Sequence, residues 1–335
     1  MKRFIDLIFT DNRFLKITSG LILVVVFTLF QSSALNKQKK SSDKNRDLKI
    51  FMLWDMEGTS GLFTRDQAWY WDKGVPREVG IQGCELLTAD VNAAARAALD
   101  AGVTDLIICD THHGGNNIIP EKLLSDPRIT FLPRSIGNEK GERRWMPGLD
   151  ESVDGFLVMA HHAKAGTEGA FLHHTQNLDW ADFTINGQSV GEIGIELCYA
   201  GHWNIPAVMV TGDEHCCTEA EQQFPGIISA VVKRAESYEL ASGLDPCEAH
   251  KIFSDKVKEA VIKLRSGGVF TTYKPKLPMI VTLRLTSPEA AQRAAQRFDV
   301  KMIDPYTLEA QVAQQSDIIK WITGTGLDMP NVKEP

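Results

Sequence analysis

Cysteine is scarce and unpatterned in this chain. There are six in 335 residues (Cys84, Cys109, Cys198, Cys216, Cys217 and Cys247), and none forms a Cys-x-x-Cys pair. That count and spacing exclude a disulfide-built fold and argue against a thiolate zinc site. Cys109 falls in a predicted strand and Cys84 and Cys198 on predicted helices, where burial as small hydrophobes is expected. Nucleotide signatures are missing as well: neither Gly-x-Gly-x-x-Gly nor the Walker pattern occurs. The net charge is −7 and no long basic run follows Lys44, so nucleic acid is not expected as a partner. The longest uncharged apolar stretch, Ile17 to Phe30, falls short of the roughly 20 residues that span a bilayer.

That stretch is preceded by Lys2, Arg3, Arg13 and Lys16 and followed by Ser32-Ser33-Ala34. A positive region, an apolar segment and small residues describe a secretory signal. Residues 1–34 therefore read as a signal peptide or, left uncleaved, an N-terminal anchor. The expected location is periplasmic or otherwise extracytoplasmic, with membrane contact only through that segment. No cysteine follows it, which argues against lipoprotein processing. Residues 35–48, polar and rich in lysine (Lys37, Lys39, Lys40, Lys44), read as a disordered linker. In an oxidising compartment a disulfide among Cys216, Cys217 and Cys247 is permitted, though spacing does not pair them.

Beyond the linker, apolar runs alternate with helical patterns. Lys49 to Trp54, Thr104 to Cys109, Gly155 to Ala160, Pro206 to Val210 and Ile227 to Val232 read as strands. Helical spacing marks Glu78 to Ala101, Val190 to His202, Glu214 to Gln223 and Asp245 to Arg265. Asn186-Gly187 between apolar residues is a hairpin signal. The order predicts an α/β fold with a mostly parallel sheet flanked by helices. A catalytic domain is expected over 49–270. After the proline-rich Lys274 to Pro278, a smaller α/β unit of βαβα order is expected over 271–335, its last helix running from Pro305 to Ile322.

Five polar clusters sit at or near predicted strand ends: Asp55-Met56-Glu57, Asp110-Thr111-His112-His113, His161-His162, His173-His174 and Gly191-Glu192. They hold six of the nine histidines. In an open α/β sheet, ligands bind outside the carboxyl ends of the strands. If the first segment stays extended, alternation turns Asp55 and Glu57 to one face. Two carboxylates so held repel unless protonated or bridged by cations. A histidine of the second cluster is a candidate ligand, with Asp110 orienting an imidazole from behind. Neighbours in an extended segment point oppositely, so one member of His161-His162 is expected at the site. A histidine of the pair 173–174 is suited to act as acid, base or electrostatic stabiliser. Glu192 alone reads equally as an acid placed at a helix start to suit the dipole. Jointly, the donors exceed what one ion needs and suit a two-metal hydrolytic site.

In this order the motifs resemble those of the D-aminopeptidase family of dinuclear zinc peptidases. The landmarks are Asp55-Met56-Glu57-Gly58, Asp110-Thr111-His112, His162-Ala163, His173, Asn186-Gly187 through Val190-Gly191-Glu192-Ile193-Gly194, and Val210-Thr211-Gly212-Asp213. The resemblance spans about Lys49 to the last helix, nearly the whole chain beyond the linker. The resemblance implies zinc ligands at Asp55, Glu57, His112, His162 and Glu192, with two ions per subunit. It further implies a catalytic histidine at His173 and a homo-oligomeric ring, expected to be a decamer. The implied activity is release of N-terminal D-amino acids from short peptides of the D-Ala-D-Ala type. His113, His161, His174 and Trp54 are not accounted for by it. The residues alone also admit a dinuclear hydrolase of another amide or a phosphoester, or an exported metal- or peptide-binding protein without catalysis.

Overall fold

A computed structural model describes residues 46–133, 145–296 and 300–323. The proposed signal and most of the linker lie outside the described residues. The described residues from 47 to 264 and from 268 to 323 form one compact unit. Its centre is a seven-stranded sheet in which β1 (Lys49–Trp54), β2 (Asp105–Asp110), β3 (Ile129–Phe131), β4 (Gly155–His161), β7 (Ala207–Asp213) and β8 (Ile228–Ala235) run parallel. The spatial order is β3-β2-β1-β4-β7-β8-β9, and only β9 (Ala241–Gly243) is antiparallel.

Sequence alternation sorts the sheet's side chains into two cores. Phe51 and Leu53 of β1 and Phe156 and Val158 of β4 face one side, while Ile50, Met52, Trp54, Leu157 and Met159 face the other. A strand buried on both faces is continuously apolar, as these are. The second face is covered by α1 (Arg77–Asp100) and α4 (Pro246–Arg265), whose Leu87, Val91, Ala94, Phe253 and Val257 recur at helical spacing. The first face is covered by α2 (Glu192–Gly201), α3 (Glu214–Gln223) and a second, antiparallel sheet.

That second sheet has the order β11-β12-β10-β5-β6, with β5 (Trp180–Ile185), β6 (Gln188–Ser189), β10 (Met279–Leu285), β11 (Lys301–Asp304) and β12 (Thr307–Val312). The expected hairpin is present: Asn186 (φ 52°) and Gly187 (φ 80°) form the turn between β5 and β6. The tail differs from expectation in two respects. Where a helix was predicted from Pro305, Thr307–Val312 is a strand that folds back on β11 around Pro305 and Tyr306. Inside that segment the buried residues, Leu308 and Val312, are four apart, a spacing that a helix and a strand share, so the pairing with β10 and β11 decides the conformation. In addition, β10 pairs with β5 over Val281 to Leu285, so the tail completes a sheet begun before residue 270.

Candidate metal centre

The polar clusters converge at the carboxyl ends of β1, β2 and β4. Asp55 follows β1 and its backbone N–H donates to Met159 O on β4 (3.0 Å), locking the two strand ends together. Gly58 N–H donates to Ala160 O at 2.7 Å, and a Cβ at Gly58 would collide with the Ala160–His161 peptide, so only glycine permits this approach. Lys233 of β8 is buried and donates to Glu57 O (2.7 Å) and Leu62 O (2.5 Å). Burial pulls its ammonium down to about 7, a shift partly opposed by Asp90, Asp213 and Glu57.

Around Asp55 the donors are close. Its Oδ1 is 2.8 Å from His112 Nδ1, and its Oδ2 is 3.3 Å from His162 Nε2 and 3.6 Å from His161 Nδ1. Glu57 Oε2 lies 3.2 Å from His112 Nδ1, while Glu57 Oε1 accepts from Trp69 Nε1 at 2.7 Å. Glu192, first residue of α2, places Oε1 3.2 Å from His162 Nε2 and 3.6 Å from His174 Nε2. Three overlapping triads could each hold a cation: Asp55–Glu57–His112, Asp55–His161–His162 and Glu57–His162–His174. Glu192 is in none of these triads and joins them through His162 Nε2 at 3.2 Å, so the five predicted ligands lie in one cluster.

Three of the imidazoles turn a second nitrogen to a backbone carbonyl: His112 Nε2 to Ala68 O (3.1 Å), His162 Nδ1 to Ala163 O (2.9 Å) and His174 Nδ1 to Leu172 O (2.7 Å). Outward nitrogen on a carbonyl, inward nitrogen on the carboxylates: this is how metal-binding histidines are oriented. Burial would raise the Asp55 carboxyl, yet the hydrogen bond from His112 and the close His161 and His162 imidazoles outweigh it and hold it well below the carboxylate range. His112 and His162 are driven the opposite way. Burial would lower them, and Glu57, Asp55 and Glu192 carry them well above the ordinary histidine value. The pocket demands positive charge, and buried Glu57 Oε2 and His162 Nε2 lack hydrogen-bond partners. Such unpaired buried groups fit cation ligation.

Several expectations are revised by the geometry. Both members of His161-His162 reach Asp55, because Ala160 adopts φ 55° and the β4–β7 register shifts before His161, breaking the alternation of an extended strand. Asp110 orients no imidazole. Its carboxylate accepts from Asn117 N (2.7 Å), Asn117 Nδ2 (2.8 Å) and Ile118 N (2.8 Å) and so closes the loop carrying His112. Of the pair 173–174, His174 reaches the carboxylates and stacks on His162 at 3.9 Å. His173 Nδ1 instead accepts from Gly166 N–H (3.2 Å), and its ring packs against Tyr238. His113 (φ 48°) stacks on Trp71 at 4.1 Å.

Asp213 is structural in effect: it caps α3 through Cys216 N (2.7 Å) and holds Phe171 N (3.1 Å) in the loop leading to His174. The cysteines take no part and no disulfide joins them; Cys84 is half-buried and Cys247 exposed. Sequence reasoning missed Trp69, Lys233 and Glu196. Glu196 had a readable signal, since it stands four residues after Glu192 and shares its helix face.

Carboxylates and imidazoles gathered at the strand ends of a parallel α/β sheet are the arrangement found in cation-dependent hydrolytic enzymes. The sequence profile of the D-aminopeptidase family matches residues 48–324, and the chain belongs to that family and is a peptidase. A D-aminopeptidase of Bacillus subtilis (strain 168) is 29% identical over 214 residues, 64% of this chain and 74% of that protein. A solved structure of the Zn-dependent D-aminopeptidase DppA from Bacillus subtilis, described as a self-compartmentalizing protease, superposes with TM-score 0.73 at 26% identity. The match covers 82% of this chain and 95% of that one.

Proposed function

We propose that the protein is a zinc-dependent aminopeptidase that releases N-terminal D-amino acids from short peptides of the D-Ala-D-Ala type, using two zinc ions held by Asp55, Glu57, His112, His162 and Glu192. The observation that carries this reading is the set of overlapping triads sharing Asp55, Glu57 and His162, which offers more donors than one ion takes up. Bound there, the ions supply Lewis acidity that polarises the scissile carbonyl and acidifies a water.

The chain's own residues set the rest. Trp69 fixes Glu57 and the Gln176 N–H fixes Glu192 Oε1 at 2.7 Å, so the carboxylates are held before substrate arrives. His174 takes the catalytic role expected at position 173. Its Nδ1 is engaged with Leu172 O and its Nε2 faces Glu57 and Glu192. With Nδ1 donating to Leu172 O, Nε2 of the neutral ring is an acceptor, suited to take a proton from the attacking water and return it to the leaving amine.

The Zn-dependent relative supports the metal, and its description as self-compartmentalizing supports a homo-oligomeric ring, proposed to be a decamer. The N-terminal signal supports an exported enzyme, cleaved or anchored, acting outside the cytoplasm. The test is release of D-alanine from D-Ala-D-Ala compared with L-Ala-L-Ala by purified protein, before and after chelation and with zinc restored. D-selective release that follows the zinc is expected. Zinc-loaded protein that cleaves neither D-dipeptides nor longer D-peptides, while hydrolysing a phosphoester or another amide, would overturn it.

A further inference from the structure

His161 stands outside the ligand set above, yet it is among the most deeply buried polar residues of the molecule, at 1% exposure. Its Nδ1 is 3.6 Å from Asp55 Oδ2, the oxygen that lies 3.3 Å from His162 Nε2. A separation of 3.6 Å is too long for a hydrogen bond. It is close to the spacing of two donors on one ion: with each bond at about 2.1 Å, neighbouring ligand atoms stand roughly 3–3.5 Å apart. Neither ring nitrogen of His161 has an aligned hydrogen-bond partner.

The far side of the ring meets a second buried acid. Glu196 Oε2, on α2, is 3.1 Å from His161 Nε2 without hydrogen-bond alignment, and Glu196 is 2% exposed. Glu192 and Glu196 are one helical turn apart, so α2 presents one carboxylate to the centre and the next to the back of an imidazole that faces it. A carboxylate behind a histidine is the usual orienting partner of a metal-binding imidazole.

We infer that His161 is a further metal ligand, sharing with Asp55 and His162 one of the two cations, and that Glu196 is the positioning residue that orients it. One position then carries two imidazoles from consecutive residues, a juxtaposition made by the left-handed turn at Ala160. This rests on the two-zinc reading, and the experiment separates the two claims.

Zinc affinity is measured by chelator competition, and metal content by mass spectrometry, on the full chain, on His161→Phe and on Glu196→Gln. X-ray absorption of the zinc-loaded proteins counts imidazoles per ion. Expected for Glu196→Gln is a 10–100-fold weaker affinity at one of two positions, the range seen when orienting partners are removed. His161→Phe is expected to weaken that same position more and to lower the imidazole count, with the other position unchanged. Two ions bound with unaltered affinity and imidazole count in both variants would overturn the inference while leaving the two-zinc reading intact. Wild-type protein that binds fewer than two ions would overturn the reading beneath it. Should His161→Phe fail to fold, the near-isosteric Glu196→Gln decides alone.

Discussion

Two adjacent histidines face different surroundings: His174 Nε2 lies 3.6 Å from Glu192 Oε1 and His173 packs on Tyr238, in a turn where Leu172 has φ 45°. The doublet was legible in the sequence; which member faces the carboxylates was not, since residue types do not encode a left-handed φ at a leucine. Replacing each in turn separates the roles. His174→Ala is expected to lower kcat by about 10²–10³-fold, the usual loss on removing one group that acts in the transition state. His173→Ala should stay within about threefold; steady-state kinetics on one dipeptide compares them, and the reverse order would return the catalytic role to His173. The charge balance has its own consequence. In the cation-free centre the carboxylates hold protons on His112 and His162 well above the ordinary range, against the effect of burial. Zinc must displace those protons, so its apparent affinity rises as pH rises. Between about pH 6 and 8 the zinc concentration for half-occupancy is expected to fall, with proton release visible in calorimetry run in buffers of different ionisation enthalpy. A pH-independent affinity would contradict this origin of the shifts.

Strands and helices of the central sheet were largely readable because their burial obeys simple periods. The β1 run Lys49 to Trp54 and the helix from Glu78 follow the sequence pattern closely. The failure came at Thr307–Val312, where an apparent helical pattern is a hairpin strand selected by pairing to β10 and β11. Long-range pairing of that kind leaves little local trace. Close approach between elements is another matter, and Gly58 is its clearest instance. A methyl there meets the peptide joining Ala160 to His161, and the loop bearing Glu57 cannot yield freely because Lys233 ties its carbonyl and Trp69 its carboxylate. Gly58→Ala is expected to cost about 1–3 kcal/mol, the range for overpacking, and to weaken zinc binding at the same time. Thermal unfolding with and without zinc measures both, and a variant of wild-type stability would show that the β1 and β4 ends are not wedged together as described.

At the scale of the whole molecule, the described tail shares a sheet with the middle of the chain. The sequence suggested a self-contained tail after residue 270, because strand, helix and strand signals recur there behind a proline-rich boundary. What local signals do not carry is the partner of a strand: β10 lies between β12 and β5, so the tail shares a sheet with the segment that leads through β6 into α2 and Glu192. Met279, Val281, Leu283, Leu285 and Leu308 bury their side chains in the same core as Ile193, Ile195 and Leu197 of α2. At about 1.5–3 kcal/mol for each large apolar side chain, these tail residues contribute on the order of 10 kcal/mol, comparable to the entire stability of a typical domain. Ending the chain at Phe270 is therefore expected to remove the fold, not merely a module, and to release the helix that carries Glu192. Expression of residues 47–270 should yield protein that is insoluble or lacks a cooperative thermal transition and binds zinc no more tightly than an unfolded chain. A soluble, cooperatively folding fragment that retains the zinc affinity of the full chain would restore the boundary at residue 270.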